Sequence, residues 1–215
     1  LLALTVSTAA ISWNFQGPMM GLISGIGVAA AMISAIATFG LWIFSWIIKP
    51  TPHRAPYTAP IYAAGMGFAI GLISQQFESL FPGIVIQAVS LTFFVAASLL
   101  LLYKTGVIRP DQNFLLIMAC ATLGIFFTYI SNFIYAMATG SSFSIITDTG
   151  LMGIGFSLVV VVIAALNLVL DFDIIEQAAE TRTPKYMEWF GAMALVMTLI
   201  WLYLEILRLI TKLRS

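Results

Sequence analysis

The sequence predicts an all-α polytopic membrane protein, a bundle of seven transmembrane helices folded as a single domain over residues 1–215. Hydrophobic residues make up 61% of the chain and charged residues 8%, with a mean hydropathy of +1.04, far outside the range of soluble domains. The apolar residues are also gathered into runs of roughly the 20 residues that cross a bilayer, punctuated by proline, glycine and charge. Nine basic and nine acidic residues give a net charge of zero and no polybasic stripe, which excludes nucleic acid as a partner. The partners expected are membrane lipids and, beyond them, other membrane proteins or a larger membrane complex.

Taken in order, the runs predict spans near 1–15, 19–48, 57–77, 83–103, 114–138, 151–171 and 187–210. The first opens in "LLALTVSTAAISW" without methionine or a basic flank, so it is not read as a signal peptide. It is expected to be a shortened span, its leader missing or disordered. The second and third carry Gly21/Gly25 and Gly67/Gly71, a spacing that permits close helix packing. Cys120, the single cysteine, lies in "LLIMACATLGIFF" and is expected to pack as a small apolar side chain.

Every second connection is basic: "KPTPHRAPY" with Lys49 and Arg54, "YKTGVIRPDQN" with Lys104 and Arg109, and "ETRTPKYME" with Arg182 and Lys185. The connections "NFQGPMM", "QQFESLFPG" and "ATGSSFSIITDTG" between them have no basic residue. The positive-inside rule therefore puts the three basic connections on the cytoplasmic side with the N-terminus, and seven crossings put the C-terminus outside. The tail "RLITKLRS", with Arg208, Lys212 and Arg214, conflicts with that simple crossing.

Few charges lie near the hydrocarbon core, and each costs about 2.5 kcal/mol or more at mid-bilayer unless paired, hydrated or protonated. Glu205 sits inside the seventh span in "IWLYLEILRLI", where Arg208 one turn on can pair with it. Asp171, Asp173 and Glu176 close the sixth span in "LNLVLDFDIIE". They read either as a solvated helix end or as part of an ion path, and acids at a helix C-terminus oppose its macrodipole. Glu78, in "QQFESLFPG", reads as a wet interfacial carboxylate or as a member of the same path. Gln87, Asn132 and Asn167 read as interhelical hydrogen-bonding groups.

An enzyme is not expected. His53 is the only histidine, so no histidine cluster can hold a catalytic zinc. No lysine lies within 187–210 for a retinal Schiff base, and no phosphate-binding loop or spaced nucleophile, base and acid is present. No resident cofactor is implied.

"LVLDFDIIE" at the end of the sixth span and "LYLEILRLI" in the seventh resemble the paired signatures of the Bax inhibitor-1 family, the transmembrane BAX inhibitor motif proteins. "FPGIVIQAVSLTFFV", "GIGFSLVVVVIAALNLVLDFD" and "TPKYMEWFGA" look like a bacterial-type member, and the resemblance covers essentially the whole chain. It implies a bundle with helix seven central, in a bacterial inner membrane or else an organelle membrane. It also implies a pH-sensitive calcium leak in which an acid ending helix six meets an acid in helix seven. Asp171 matches the first acid. Glu205 matches the second, where many members have aspartate, one methylene shorter. A basic residue after helix two is expected to latch Asp171, a role open here to Lys49 or Arg54.

Two carboxylates in a low-dielectric site cannot both ionise cheaply, so the pair is expected to share a proton or hydrogen bond and to couple opening to pH. As hard oxygen ligands Asp171 and Glu205 would hold Ca²⁺ only weakly and transiently, as permeation requires. Were helix seven to begin at Tyr186, Glu205 would lie about 28 Å along it, too far for direct contact with a cytoplasmic Asp171 unless the helix protrudes or tilts. The rival function is a non-transporting accessory protein that modulates a membrane protease, a respiratory assembly or a stress response.

Overall fold

The computed structural model of the chain describes residues 1–14, 55–139, 143, 146, 148–181 and 183–215. Regular structure among these residues is entirely helical: α1 Leu2–Asn14, α2 Ala55–Leu80, α3 Ile84–Lys104, α4 Gln112–Thr139, α5 Leu151–Glu180 and α6 Tyr186–Arg214. Of these, α2 to α6 are each long and apolar enough to cross a membrane, which makes this a multi-pass integral membrane protein. Seven spans are not what the described residues contain. The expected 19–48 span lies outside them, with Gly21/Gly25, Lys49 and Arg54, and α1 has 13 residues, about 20 Å, short of a hydrocarbon core about 30 Å thick.

The sixth span also differs from its sequence reading. α5 does not stop at Asp171 but runs on to Glu180, and its 30 residues exceed the bilayer core. Asp171 is thus more than two turns from the helix end, and the macrodipole argument against acids there falls away, because that field acts only within the last turn.

Local signals explain the connections. Gly106, at φ 72°, ends α3 in a left-handed residue, with Gly106 N–H bonded to the Tyr103 carbonyl and Val107 N–H to that of Leu102. That is a Schellman closure of the last carbonyls, which otherwise have no partner in the helix. Asp111 then caps α4, its Oδ1 accepting from Phe114 N–H at 2.7 Å. Between α2 and α3 the chain turns at Gly83, φ 81°.

The described residues form two compact units. One comprises Leu1–Val85 with Gln177–Val196, the other Ile86–Glu176 with Met197–Ser215. In the first, α1 packs along α2. The hydroxyls of Thr5, Thr8 and Ser12 bond back to carbonyls of their own helix, which leaves a small, satisfied surface facing α2. Gly67 and Gly71 lie against it so closely that a Cβ at Gly67 would stand 2.1 Å from Thr8 Oγ1, and one at Gly71 1.9 Å from Ser12 Oγ. The small-residue spacing in the third span therefore marks a real helix contact. Ala59, Tyr62 and Met193 are buried beside it, with Leu1, Met66 and Phe190 packed on them.

In the second unit α3 and α4 expose large apolar side chains such as Phe94, Leu101, Leu116 and Phe127. Only 17% and 11% of their apolar windows are buried, against 50% for α6, so α3 and α4 present their surface to lipid. Cys120 lies on the exposed face of α4 rather than in a packed interior.

Gly67→Val and Gly71→Val are each expected to destabilise the protein by about 1–3 kcal/mol through overpacking. Gly124→Ala, where a Cβ meets nothing within 4 Å, should be neutral or slightly stabilising. Thermal unfolding in detergent micelles measures both.

Candidate functional site

A face of α6 that is polar in an otherwise apolar helix builds the site. Thr198, Trp201, Glu205, Arg208 and Lys212 follow one another at steps of three and four residues, which keeps all five on one side of the helix. The turns between them are closed by Leu202, Tyr203, Ile206 and Leu207, all buried.

Glu205 is 2% exposed. Its Oε1 accepts from the Tyr129 hydroxyl on α4 at 2.9 Å and from Trp201 Nε1 at 3.3 Å. Arg208 pairs with it at 3.1 Å, as the sequence spacing suggested. The guanidinium also donates to the Tyr129 hydroxyl and lies 5.0 Å from the centre of that ring. Tyr129 therefore passes a hydrogen bond from Arg208 to Glu205, and cation and carboxylate are joined both directly and through the phenol. This is the compensation that a carboxylate out of water requires.

Asp171 has a different partner, accepting a hydrogen bond from the Thr198 side chain. Its Oδ2 is buried and, among the described residues, has no hydrogen-bond partner. Thr198 meets Asp171, and Lys212 donates to the Gly153 carbonyl, so α5 and α6 run antiparallel in this unit. In that register Glu205 falls between Val160 and Ala164 of α5, both fully buried, about 10 Å along the helix axis from Asp171. Among the described residues no hydrogen bond joins the two carboxylates. Asp171 of α5 stands at the level of Thr198 and Glu205 two turns further along α6, which starts at Tyr186, so the two acids are about 10 Å apart along the axis rather than the roughly 28 Å reckoned from the start of the helix.

The neighbouring acids are held by one phenol. Tyr103, in the last turn of α3, donates to Asp173 Oδ1 at 3.3 Å and is hydrogen-bonded to Glu176 Oε2, with Phe172 packed 6.0 Å from its ring. In the other unit Glu78 is a helix cap. Its Oε1 and Oε2 accept from Gly83 and Val85 N–H at 2.6 and 3.1 Å, satisfying donors at the start of α3 that have no partner within the helix. Lys49 and Arg54, the expected latch residues, lie outside the described residues. No group of three or more His, Cys, Asp and Glu that could hold a metal stands among the described residues.

Asn167 makes the interhelical bond expected of it, donating to Thr122 at 3.0 Å, and Gln87 accepts from Arg214 at 2.7 Å. Asn132 bonds instead to the connection that follows its helix, accepting from Phe143 N–H at 2.7 Å. Tyr129, Thr198, Trp201, Lys212 and Tyr103 were not among the sequence candidates. For four of them the signal was unremarkable, a tyrosine, threonine or tryptophan in an apolar run. Thr198, Trp201 and Lys212 were nevertheless readable as one face with Glu205 and Arg208.

The cations of the basic tail all have partners within this unit. Arg208 is used by Glu205, Lys212 by the Gly153 carbonyl and Arg214 by Gln87. These cations stand at the end of the unit where α3 and α5 begin, opposite the basic Lys104/Arg109 connection.

The sequence model of the family described as Bax inhibitor 1 like matches residues 1–215. No curated protein and no solved structure matches the chain.

Arg208→Met should cost about 2 kcal/mol, less than a fully buried pair because the arginine side chain is 37% exposed. Tyr129→Phe should cost about 1 kcal/mol, one hydrogen bond to a buried acceptor. The double variant should fall short of the sum, since both act on Glu205. Denaturant or thermal unfolding of the four proteins in micelles completes this cycle.

Proposed function

The chain belongs to the Bax inhibitor 1 like family, and we propose that it is a passive, pH-sensitive Ca²⁺ leak of a bacterial inner membrane, closed through Asp171 and Glu205. In this reading the bundle has seven helices with α6, the seventh, at its centre. The burial of half of the apolar window of α6 supports that placement.

One observation carries the reading. Asp171 presents a buried, unpartnered carboxylate oxygen to the face of α6 that also holds Glu205. A carboxylate in that position is relieved by a proton or by a hard cation, so its state responds to both. Glu205 is already compensated by Arg208, Tyr129 and Trp201. The two acids then act in series along one helix face. Asp171 senses, and Glu205, held by Arg208 and Tyr129, supplies the carboxylate of the deeper level. Thr198 links them, because protonation of Asp171 changes what its hydroxyl must bond to on the helix that carries Glu205. Asp173 and Glu176, both shared with Tyr103, lie beyond this face and contribute to the inner mouth of the path. Ca²⁺ is the permeant ion and no resident cofactor is required.

Ca²⁺ flux into proteoliposomes across a pH series tests the reading. The wild type should leak above empty vesicles with a clear pH dependence. Asp171→Asn should abolish that dependence, Glu205→Gln should change both rate and profile, and Asp173→Asn should do far less. Flux no greater than that of empty vesicles at any pH would favour the non-transporting accessory role. An unchanged profile in both Asp171→Asn and Glu205→Gln would put the gate elsewhere.

A further inference from the structure

Lys212 is 7% exposed, a lysine buried near the end of a membrane helix. A lysine at such a place ordinarily snorkels, turning its ammonium to the interface while its stem covers apolar surface. Lys212 does the opposite. Its ammonium turns inward and donates to the Gly153 carbonyl in the first turn of α5 at 2.9 Å. Burial and the charge of Arg208 oppose the ammonium, and the charges of Glu205 and Asp148 attract it.

Three further facts make this an occupied position rather than an incidental contact. Lys212 continues the polar face of α6 one step beyond Arg208, so its ammonium stands in line with Asp171 and Glu205, at the opposite end. One turn deeper on α5, the Ser157 hydroxyl is 1% exposed and has no hydrogen-bond partner among the described residues, leaving a second oxygen on the buried face of that helix. The close approach also depends on glycine: a Cβ at Gly153 would stand 2.0 Å from the Asp148 carbonyl oxygen, so only glycine lets the preceding turn fold down here. A carbonyl, a hydroxyl and nearby carboxylates are the ligand types a hard cation uses, and the ammonium already occupies the carbonyl.

We infer that Lys212 is a tethered cation that fills the end of the polar path remote from Asp171 and sets its selectivity against divalent ions. The inference rests on the leak reading and adds to it a second closure, independent of the carboxylate switch. A fixed positive charge repels Ca²⁺ twice as strongly as Na⁺ at the same distance, so its removal must favour the divalent ion more. A snorkelling lysine with a merely structural role would leave the ratio of the two unchanged.

The test uses the full chain in proteoliposomes, with Ca²⁺ and Na⁺ fluxes measured separately and release of an encapsulated neutral dye as a control. Lys212→Gln should raise Ca²⁺ flux by about tenfold and Na⁺ flux by less, with no dye release, while Lys212→Arg should stay near wild type. Should Lys212→Gln fail to fold, Lys212→Met, which keeps the alkyl stem, carries the same comparison. An unchanged Ca²⁺ flux, or an equal rise in both ions and the dye, overturns the inference. The two readings fail separately. If the wild type is silent but Lys212→Gln admits Ca²⁺, the tethered cation stands and the basal leak falls. If both are silent, the tethered cation falls as well.

Discussion

A buried carboxylate in a membrane helix is the constraint around which this protein is organised. Glu205 is removed from water inside α6, and no bilayer can solvate it. Its neighbours follow from that requirement. Arg208 must sit one turn away, Tyr129 must project from α4, and Trp201 must turn its N–H forward along the helix. Each partner comes from a different distance in the chain, so satisfying one side chain also fixes α4 against α6. In lipid, where apolar contact alone gives little preference between neighbours, polar bonds of this kind decide which helix faces which.

The same economy runs along the rest of α6. Asp171 is met by Thr198, the Gly153 carbonyl by Lys212 and Gln87 by Arg214. These bonds tie α3 and α5, as Tyr129 ties α4, to one helix within the unit, while the lipid-facing sides of α3 and α4 remain almost wholly apolar. The polar groups are therefore not scattered. They are concentrated where helices meet, and among the described residues Asp171 Oδ2 is the buried carboxylate oxygen without a partner, the other unpartnered buried oxygens being uncharged, the Tyr62 and Ser157 hydroxyls and Gln75 Oε1. An unsatisfied oxygen on a well-satisfied scaffold is a place where a proton or cation changes the energy most.

The other unit is held by contact of a different kind. α1 and α2 approach through glycine and small hydroxylated residues, with each hydroxyl bonded to its own backbone. Dispersion at close range replaces polar attachment there. Glu78, which in sequence reads as a wet interfacial carboxylate or a member of the ion path, belongs to this structural economy as the cap of α3. Position near a membrane boundary does not distinguish a carboxylate left to solvent from a capping one. Only its distance to two backbone donors does.

Composition and run length by themselves determined that the chain is helical, apolar and membrane-spanning, because a bilayer imposes a length and a polarity on any segment that crosses it. The motifs around Asp171 and Glu205 were enough to identify the family. Pairing of Glu205 with Arg208 was legible too, since it depends only on helical spacing. What the sequence could not determine was everything set by register between distant segments: that α5 continues past Asp171 to Glu180, that Asp171 meets Thr198 two turns short of Glu205, that Tyr129 completes the buried pair, and that Lys212 turns inward to Gly153. A helical repeat says which residues share a face, but the level at which two faces meet is fixed by how their helices pack, and that is a property of the tertiary structure alone.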